Sequence, residues 1–428
     1  MDSVLNPFSP GAGTRPPALV GRDKQLKEID VALRRLLAGK DGRGQLLTGL
    51  RGVGKTVLLN EFERIAEKLE CVHAHIEVQE DGKLDGLIAV ALRRVLLEMD
   101  AKKRLGKNLR RALGILKAFS VKLPDGPEFG VDIDAVLGPA DSGNRAQDLA
   151  ALFVEVGELA KRNGTAVLIT IDELQYVSEE VLAALVIGVH RANQKGLPVL
   201  VAGAGLPSLP ALAGEAKSYA ERMFVFAVIG SLDRADATRA LSEPVAKAGV
   251  RWHPDALNLL LTRTEGYPYF IQEFGKQSWD VAKGPTELTK SDVTRALDLA
   301  IDELDNGFFE VRTGRLSPQE QKYLRAMAEL GKGPVKSAEV ARLFGKTTTA
   351  MGPVRDRLVK KALIYMPKWG DLAFTVPLFD QFMKRRVPWS PTVSQTVRSS
   401  SAARPKRGRA QSRAVRDGRR AKASAVCG

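Results

Sequence analysis

The stretch GLRGVGKT, residues 49–56, decides how the rest of the sequence is interpreted. It fits the pattern G-x-x-x-x-G-K-[ST] of a phosphate-binding loop. An apolar run predicts a short strand over 45–50, directly before the loop. Apolar residues at helical spacing predict a helix over 57–69, directly after it. A strand, a glycine-rich loop and a helix N-terminus together form a cradle for phosphate groups.

Each residue type in this loop has a physical role. Glycine lets backbone N–H groups curl around an anion, and the helix N-terminus directs its positive dipole end to the same place. Lys55 adds a mobile positive charge for the β- and γ-phosphates, and Thr56 offers a hydroxyl to Mg²⁺. The candidate nucleotide-binding residues here are Gly49, Arg51, Gly52, Val53, Gly54, Lys55, Thr56 and Val57. The alternative is an ordinary strand-to-helix turn that contains Gly-Lys-Thr.

A second stretch, VLITIDELQ (167–175), predicts a strand that is buried on both faces of a parallel sheet. Asp172 and Glu173 follow at its carboxyl end, which is the edge where such sheets bind ligands. If this strand neighbours the strand before the phosphate loop, Asp172 can hold Mg²⁺ through water, and Glu173 can orient and deprotonate the attacking water. A charged strand end that faces solvent is the alternative. The phosphate loop disfavours that alternative, because each motif predicts the other.

The composition is that of a globular protein with two or three domains: 428 residues, 44% hydrophobic and 27% charged. No apolar run approaches the ~18 residues of a membrane span, and the first residues lack the pattern of a secretory signal. Two distant cysteines, Cys71 and Cys427, argue against a disulfide framework. We therefore expect a cytoplasmic protein that does not bind membranes.

The net charge of +15 is concentrated at one end, where ten Lys or Arg and one Asp lie between 398 and 428. The folded part is only mildly basic, so a charge argument for nucleic-acid binding applies chiefly to this tail.

The order of predicted elements divides the chain into five segments. They are an irregular N-terminal segment (1–19), an α/β core with a parallel sheet (20–231), an all-helical segment (232–313), a winged helix (314–391) and a disordered basic tail (392–428). Within the core, alternating apolar residues around Pro-Asp-Gly predict a β-hairpin insertion at about 117–135, with a disordered loop as the alternative.

The combination of GLRGVGKT and LITIDE with a helical lid and a winged helix resembles the AAA+ ATPases, in the branch of origin-recognition and STAND-class ATPases. Further stretches resemble a family of bacterial AAA-type ATPases over about residues 6–388, among them NPFSPGAG, LVGRDKQL, GYPYFIQEFG and FFEVR. The resemblance implies an AAA+ P-loop NTPase fold, ATP and Mg²⁺ as ligands, and ATP hydrolysis.

The resemblance implies further site residues. A Gly-Arg pair borders the adenine in this branch and matches Gly21 and Arg22, with an ordinary loop as the alternative. A Gly-x-Pro that faces the nucleotide matches Tyr267 and Pro268, with a helix start that buries Tyr267 as the alternative. Arg222 matches an arginine that acts on the γ-phosphate of a neighbouring copy, which implies a homo-oligomer. A surface salt bridge is the alternative for Arg222.

Two positions depart from the family pattern. The stretch 202–205, Ala-Gly-Ala-Gly, lacks the polar side chain that many AAA+ proteins carry at this strand end. The GYPYFIQEFG helix lacks a lid arginine that would touch the γ-phosphate. Both gaps predict slow turnover, which is typical of a nucleotide-dependent switch.

Two parts of the sequence predict a partner. A helix over 350–361 would suit a DNA major groove, with Lys368 of the wing near the DNA backbone. The basic residues of that helix are Arg355, Arg357, Lys360 and Lys361. The tail would bind phosphate backbones without reading sequence, or only add solubility. Because winged helices also bind proteins, we expect a switch on DNA or on a protein partner, with an ATP-locked oligomeric scaffold as the alternative.

Overall fold

The computed structural model describes residues 1–80, 84–103, 107–121, 142–216 and 220–389. None of the helices in these ranges is both long and apolar enough to cross a membrane. The predicted tail over 392–428 lies outside the described residues, and so does the predicted hairpin from 122 to 135. Residues 119–121, predicted as part of the first hairpin strand, belong to a helix instead.

A five-stranded parallel sheet forms the centre of the core. Its strands are β1 (Gly44–Thr48), β2 (Val72–Glu77), β3 (Val167–Asp172), β4 (Val199–Gly205) and β5 (Phe224–Val228). Their spatial order is β2-β3-β4-β1-β5. Every residue of β3 and β4 is buried, as the continuous apolar runs predict for central strands.

Helices cover both faces of this sheet. In the described part of the core they are α1 (Asp23–Leu37), α2 (Lys55–Lys68), α3 (Leu84–Lys103), α4 (Lys107–Val121), α5 (Arg145–Arg162), α6 (Glu179–Gln194), α7 (Leu209–Ala216) and α8 (Ala220–Met223). Successive strand residues point to opposite faces, so Leu46 packs with α3 to α6, and Leu47 packs with α1 and α2. The α/β class predicted from the sequence is confirmed.

The residues after β5 fold into a mainly helical lid. Its helices are α9 (Arg234–Lys247), α10 (Pro254–Thr264), α11 (Pro268–Val281), α12 (Lys290–Glu303) and α13 (Glu310–Thr313), with a π-helical turn (Leu304–Phe309) before α13. The prediction of an all-helical segment is wrong in one respect, because β6 (Arg251–Trp252) and β7 (Glu287–Leu288) pair in parallel. Strands of two residues are too short to show an alternating pattern in the sequence.

We call Leu316–Trp389 the C-terminal unit. It contains α14 (Pro318–Leu330), β8 (Val335–Lys336), α15 (Ser337–Leu343), α16 (Thr348–Lys360), β9 (Ile364–Tyr365), β10 (Asp371–Phe374) and α17 (Phe379–Arg386). The strands form an antiparallel sheet in the order β8-β10-β9. The first three helices and the β9–β10 hairpin agree with the sequence prediction, whereas β8 and α17 add to it.

A continuous apolar core joins the three parts of the chain. It begins beneath α2, passes through the lid and ends in the C-terminal unit, and it includes Leu58, Phe270, Phe309 and Phe379. The rings of Phe309 and Phe379 lie 5.4 Å apart between their centroids, edge to face. Since burial of apolar surface is the main stabilising term, the C-terminal unit is packed onto the lid and does not hang from a linker.

Glu320 organises the C-terminal unit from within. Its side chain is 2% exposed and forms ion pairs with Arg357 and Lys361 at the end of α16. Burial alone would raise the pKa of Glu320, but hydrogen bonds from Ser317 and Lys361 lower that pKa to about 2. Two of the four basic residues predicted to face DNA are therefore paired with Glu320, and a third, Arg355, is paired with Asp356 at 2.8 Å.

We predict that Glu320→Gln lowers the free energy of unfolding by about 2 kcal/mol at pH 7, because it breaks a buried ion pair. The folded pKa lies below its ordinary value of 4.5, so the stabilisation is complete above about pH 4.5 and is lost as the pH falls toward about 2. Urea denaturation measures the free energy of unfolding of the wild type and the variant at pH 7 and pH 2.5. The difference between the two proteins should be smaller at pH 2.5. Glu310→Gln is the control, since Glu310 is 58% exposed. Equal stability of Glu320→Gln and wild type at pH 7 would contradict this assignment.

Candidate functional site

The loop between β1 and α2 lies at the carboxyl end of the parallel sheet. Gly52 and Gly54 have φ values of +81° and +93°, a region that favours glycine. A Cβ atom at Gly49 would lie 2.1 Å from the carbonyl oxygen of Ile229, so a side chain cannot be accommodated there. α2 begins at Lys55, directly after the loop. The loop amides and the helix N-terminus therefore face the same space.

Lys55 is folded back onto its own loop. Its Nζ donates to the carbonyl oxygens of Gly49 at 3.0 Å and Leu50 at 2.8 Å. Burial lowers the pKa of Lys55, while the carboxylates of Glu173 and Asp172 oppose that shift. Among the described residues, the hydrogen bonds of this buried ammonium group go to neutral carbonyl oxygens, so an anion is a favourable ligand for it.

The predicted magnesium-binding side chains are in contact. Asp172 ends β3, and its Oδ2 accepts a hydrogen bond from Thr56 Oγ1 at 2.5 Å. The condition that β3 neighbours β1 is not met, since β4 lies between them. The contact forms nonetheless, because α2 packs across β4 and β3 and carries Thr56 to the end of β3.

The small residues at the end of β4 make room for the turn after β3. A Cβ at Gly203 would lie 2.3 Å from Leu174 Cδ1. Gln175, on this turn, connects the end of β4 to Glu173: its Oε1 accepts a hydrogen bond from the N–H of Leu206, and its Nε2 donates to Glu173. No sequence pattern identified Gln175, because its contacts depend on a turn that returns to the neighbouring strand.

Glu173 occupies an unusual position at the start of that turn. Its φ of +58° lies in the left-handed region, which residues other than glycine adopt rarely. Its Oε2 lies 4.0 Å from Arg51 Nη2, and the side chain is 28% exposed. Backbone strain of this kind is often found at functional sites. The carboxylate is held between Gln175 and Arg51, next to the phosphate loop.

These groups border a cavity of about 450 Å³, enough for a nucleotide-sized ligand. The core, the lid and the segment before α13 all contribute to its lining. Ten of the predicted site residues line it: Arg22, Arg51, Gly52, Val53, Gly54, Lys55, Thr56, Val57, Glu173 and Pro268. The structure thus brings the two sequence motifs together around one space.

Three predicted site residues pack behind the residues that line the cavity and do not line it themselves. Asp172 is 4% exposed and lies behind Thr56. Gly49 packs against the segment that follows β5, and Gly21 packs against α9, where a Cβ would lie 2.5 Å from Asp236 Oδ2. Both glycines therefore allow close packing of the backbone and do not line the cavity.

Tyr267 is 3% exposed and donates its hydroxyl to the carbonyl oxygen of Arg51. This geometry favours the alternative in which Tyr267 is buried at the start of α11. Pro268, at the first position of that helix, does line the cavity.

Arg222 lies far from the phosphate loop of its own chain. It is exposed and precedes β5, whose first residue Phe224 pairs with Gly44 at the start of β1. The loop follows the opposite end of β1. Among the described residues, no ion pair is formed by Arg222, so the surface-salt-bridge alternative gains no support.

Arg22 holds the loop from the side. Its guanidinium donates to the carbonyl oxygen of Gly230 at 2.6 Å and to that of Val53 at 3.3 Å. Burial lowers the pKa of Arg22, and Asp236 partly offsets the shift. Arg22 therefore connects the loop to the segment after β5.

The backbone of Arg51 and Gly52 is bound by two other parts of the chain. From the lid, Tyr267 donates its hydroxyl to Arg51, and the N–H of Tyr269 donates to the carbonyl oxygen of Gly52 at 3.2 Å. From the C-terminal unit, Thr375 accepts a hydrogen bond from the N–H of Arg51 at 3.2 Å. The phosphate loop is thus the place where all three parts of the chain meet.

Arg312 is a cavity residue that the sequence analysis missed. It lies on α13, beyond the lid helix in which a basic residue was expected, and it lines the same cavity as Lys55. Its guanidinium lies 3.8 Å from the centre of the Phe308 ring and donates to the carbonyl oxygen of Phe308. Burial and the neighbouring charge of Arg51 lower the pKa of Arg312. The stretch FFEVR contains this residue, but its place in space depends on the π-helical turn before it.

The charges around the cavity are unbalanced. Arg22, Arg51, Lys55 and Arg312 line it, whereas Glu173 is the carboxylate that lines it and Asp172 lies behind Thr56. A partly buried cluster of like charges is unfavourable unless an anion compensates it. The arrangement therefore suits a ligand with several negative charges.

Comparison with protein families agrees with this geometry. Residues 18–201 match the family model described as an AAA ATPase domain, and residues 306–383 match one described as a domain of unknown function (DUF8462). Residues 18–201 are therefore similar to an AAA ATPase domain, and the core has the AAA+ P-loop NTPase fold. No curated protein matches the chain.

One solved structure shares this fold, and two others have lower similarity. A Walker-type ATPase of Pyrococcus abyssi is 16% identical, with a TM-score of 0.56, over 87% of this chain and 97% of that chain. The Aeropyrum pernix ORC1 protein in complex with DNA is 15% identical, with a TM-score of 0.42, over 87% and 94% of the two chains. The Thermotoga maritima RuvB Holliday junction branch migration motor is 15% identical, with a TM-score of 0.43, over 88% and 100%. The last two similarities are too low to support an argument about this chain.

Proposed function

We propose that the chain binds ATP with Mg²⁺ in this cavity and hydrolyses it slowly to ADP and phosphate. The observation that carries the proposal is the convergence of Lys55, the Thr56–Asp172 pair and Glu173 on one cavity. The loop amides and Lys55 hold the β- and γ-phosphates. Arg22 keeps the loop in the binding conformation by its bonds to Val53 and Gly230.

The donor set fits magnesium. A hydroxyl and a carboxylate oxygen already lie 2.5 Å apart, and Mg²⁺ prefers oxygen ligands and retains several waters. Thr56 would bind the ion directly and Asp172 through water. Bound there with the phosphates, the ion would neutralise charge that develops during phosphoryl transfer. Within the described residues no group of three or more His, Cys, Asp or Glu forms a separate metal site.

Glu173 serves as the general base. It takes a proton from water, the resulting hydroxide oxygen bonds to the γ-phosphorus, and ADP leaves with the electrons of the broken P–O bond. The contacts of Glu173 with Gln175 and Arg51 oppose this role, because they draw the carboxylate toward other donors. They support the proposal of slow turnover until a partner or a conformational change frees the carboxylate.

Arg222 acts in trans in this proposal. Its exposure and its position before β5 allow it to serve only the cavity of another copy. A planar guanidinium suits that role because it binds phosphate oxygens in a bidentate way.

The first test separates ATP binding from hydrolysis. Lys55→Ala should weaken ATP binding by about 2 kcal/mol, roughly 30-fold, because it removes a charge-assisted contact to phosphate. Glu173→Gln should bind ATP as the wild type does but hydrolyse it about 10²-fold more slowly, because it removes the base. Calorimetric titration measures the first effect, and phosphate release measures the second.

The control is Glu179→Gln, which changes a carboxylate at the start of α6. Arg222→Ala should keep ATP binding, and mixing it with Glu173→Gln should restore some activity. One of the two kinds of mixed interface then pairs an intact Glu173 with an intact Arg222, whereas the other lacks both. Retention of full ATP affinity by Lys55→Ala would refute the proposed site. Inactivity of every mixture would refute only the role in trans.

Arg312 distinguishes ATP from ADP in this proposal. It lies with Arg51 and Glu173 at the part of the cavity nearest the C-terminal unit, where the γ-phosphate would point. We expect Arg312→Ala to raise the Kd for ATP about tenfold with little change for ADP, because one charge-assisted contact is lost. Arg315→Ala, a change beyond α13, is the control. An equal loss for both nucleotides would contradict a γ-phosphate role.

We further propose that ATP acts through the C-terminal unit as a switch on DNA or a protein partner. The hydrogen bond from the N–H of Arg51 to Thr375 supports this proposal. A phosphate bound in the loop would shift the backbone of Arg51, which contacts the C-terminal unit. Three helices and an antiparallel hairpin support its interpretation as a winged helix. The alternative is an oligomeric scaffold that binds ATP with little or no hydrolysis. The contacts that hold Glu173 against Gln175 and Arg51 favour this alternative, because they oppose its role as the base.

DNA binding is tested by salt titration of the full chain with and without Lys360→Ala and Lys368→Ala. Arg357 and Lys361 are paired with Glu320, and Arg355 is paired with Asp356. Lys360 of α16 and Lys368 of the hairpin are therefore the expected phosphate contacts. Each substitution should reduce the slope of log K against log salt by about 1. Arg295→Ala in the lid is the control. If neither variant changes the slope, the surface that contains Lys360 and Lys368 does not bind DNA, and a protein partner is favoured.

A further inference from the structure

The hairpin between β9 and β10 carries an exposed aromatic side chain at its tip. Trp369 is 97% exposed, whereas Trp252 and Trp279 are buried in the core. Residues 366–369, which we call the hairpin tip, are all exposed, and they include the apolar side chain of Met366. A fully exposed indole ring leaves a large apolar surface in water, so covering it with a partner is favourable. The hairpin tip is therefore a candidate binding contact.

The turn that carries Trp369 is fixed on both sides. The N–H of Asp371 donates to the carbonyl oxygen of Lys368 at 3.0 Å, which closes the turn. Gly370 has a φ of +80°, and its carbonyl oxygen accepts a hydrogen bond from the N–H of Ser337 at 2.8 Å. Main-chain bonds thus tie the turn to the start of α15. Because the turn is already ordered, binding through Trp369 immobilises little more than one side chain.

The C-terminal unit that presents this tip is strongly basic. Fourteen Lys or Arg and six Asp or Glu lie between 316 and 389, a balance of +8, whereas residues 1–315 have a balance of −2. Asp371, at the end of the turn, is paired with Lys336, so its charge is compensated. Lys368 at the tip is exposed. This concentration of positive charge favours a polyanion over a neutral partner.

We propose that Trp369 stacks on an unpaired base of DNA, so that the C-terminal unit binds DNA with a single-stranded arm in preference to continuous duplex. The inference deepens the proposed action on DNA and rests on it. Within a duplex the base faces are covered by neighbouring bases, whereas an unpaired base offers a flat apolar face to an aromatic ring. Lys368, next to Trp369 in the chain, contacts a phosphate of the same strand.

The test compares two labelled DNAs on the full chain: a fork with single-stranded arms and a fully paired duplex of the same length. Trp369→Ala should raise the Kd for the fork about tenfold, which corresponds to about 1.4 kcal/mol and lies in the range for one stacked base. The Kd for the duplex should change less than about twofold. Fluorescence anisotropy of the DNA label measures both values.

Two further measurements distinguish stacking from charge. Stacking releases no counterions, so Trp369→Ala should leave the slope of log K against log salt for the fork unchanged, whereas Lys368→Ala should reduce it by about 1. Trp369→Phe keeps an aromatic ring and should restore most of the affinity for the fork. The fork should quench the tryptophan fluorescence of the wild type, and Trp369→Phe should lose most of this change.

Val4→Ala is the control, since Val4 is 90% exposed and belongs to the N-terminal segment. It removes exposed apolar surface elsewhere and should bind both DNAs as the wild type does. Substitutions at exposed positions change stability little, and thermal unfolding of each variant verifies that it is folded.

The outcomes separate this inference from the proposed function. Selective loss of fork affinity in Trp369→Ala, restored by Trp369→Phe, supports the inference. It is overturned if Trp369→Ala binds the fork as the wild type does, if its affinity for the duplex falls equally, or if the wild type does not prefer the fork. If the wild type binds neither DNA, the DNA partner fails together with the inference, and a protein partner is favoured. None of these outcomes bears on the ATP site, which Lys55→Ala tests.

Discussion

The backbone of Arg51 and Gly52 is the point on which the arrangement of the chain depends. The lid holds it through Tyr267 and Tyr269, and the C-terminal unit holds it through Thr375. Each contact uses a main-chain group of the phosphate loop, so a movement of the loop alters all three contacts. A ligand that reorients these few peptide groups would act on both neighbouring parts at once.

The polar contacts explain how the site is shaped, and the apolar core explains why it holds together. Burial across the lid and the C-terminal unit supplies the stabilisation, and it reaches Phe379 without interruption. Hydrogen bonds to Arg51 add little net stability by comparison but fix the geometry. Because stability and geometry have different sources, the loop contacts can change while the three parts remain folded.

The local features of the site were predictable, since they depend on residues adjacent in sequence. The phosphate loop, the buried strand before Asp172 and the helix from Lys55 all follow from spacing and composition. The strand order, with β4 between β1 and β3, depends on packing that no local pattern encodes. Gln175 and Arg312 were missed for the same reason, because each reaches the site through a turn whose path is set by the folded chain. The roles assigned to Glu173 and Arg222 stay predictions.

The strand between the two motifs has a consequence for tolerance to mutation. β1, which leads into the phosphate loop, and β3, which ends at Asp172, are separated by two hydrogen-bonded strand spacings of about 4.8 Å each, so main-chain geometry sets the width between the two motifs. Gly203 keeps that width compatible with Leu174, whose side chain fills the space a Cβ would need. A larger residue at 203 would clash with Leu174 and displace the turn that follows Asp172 and Glu173. The chemistry of the cleft is therefore sensitive to a position that touches no ligand.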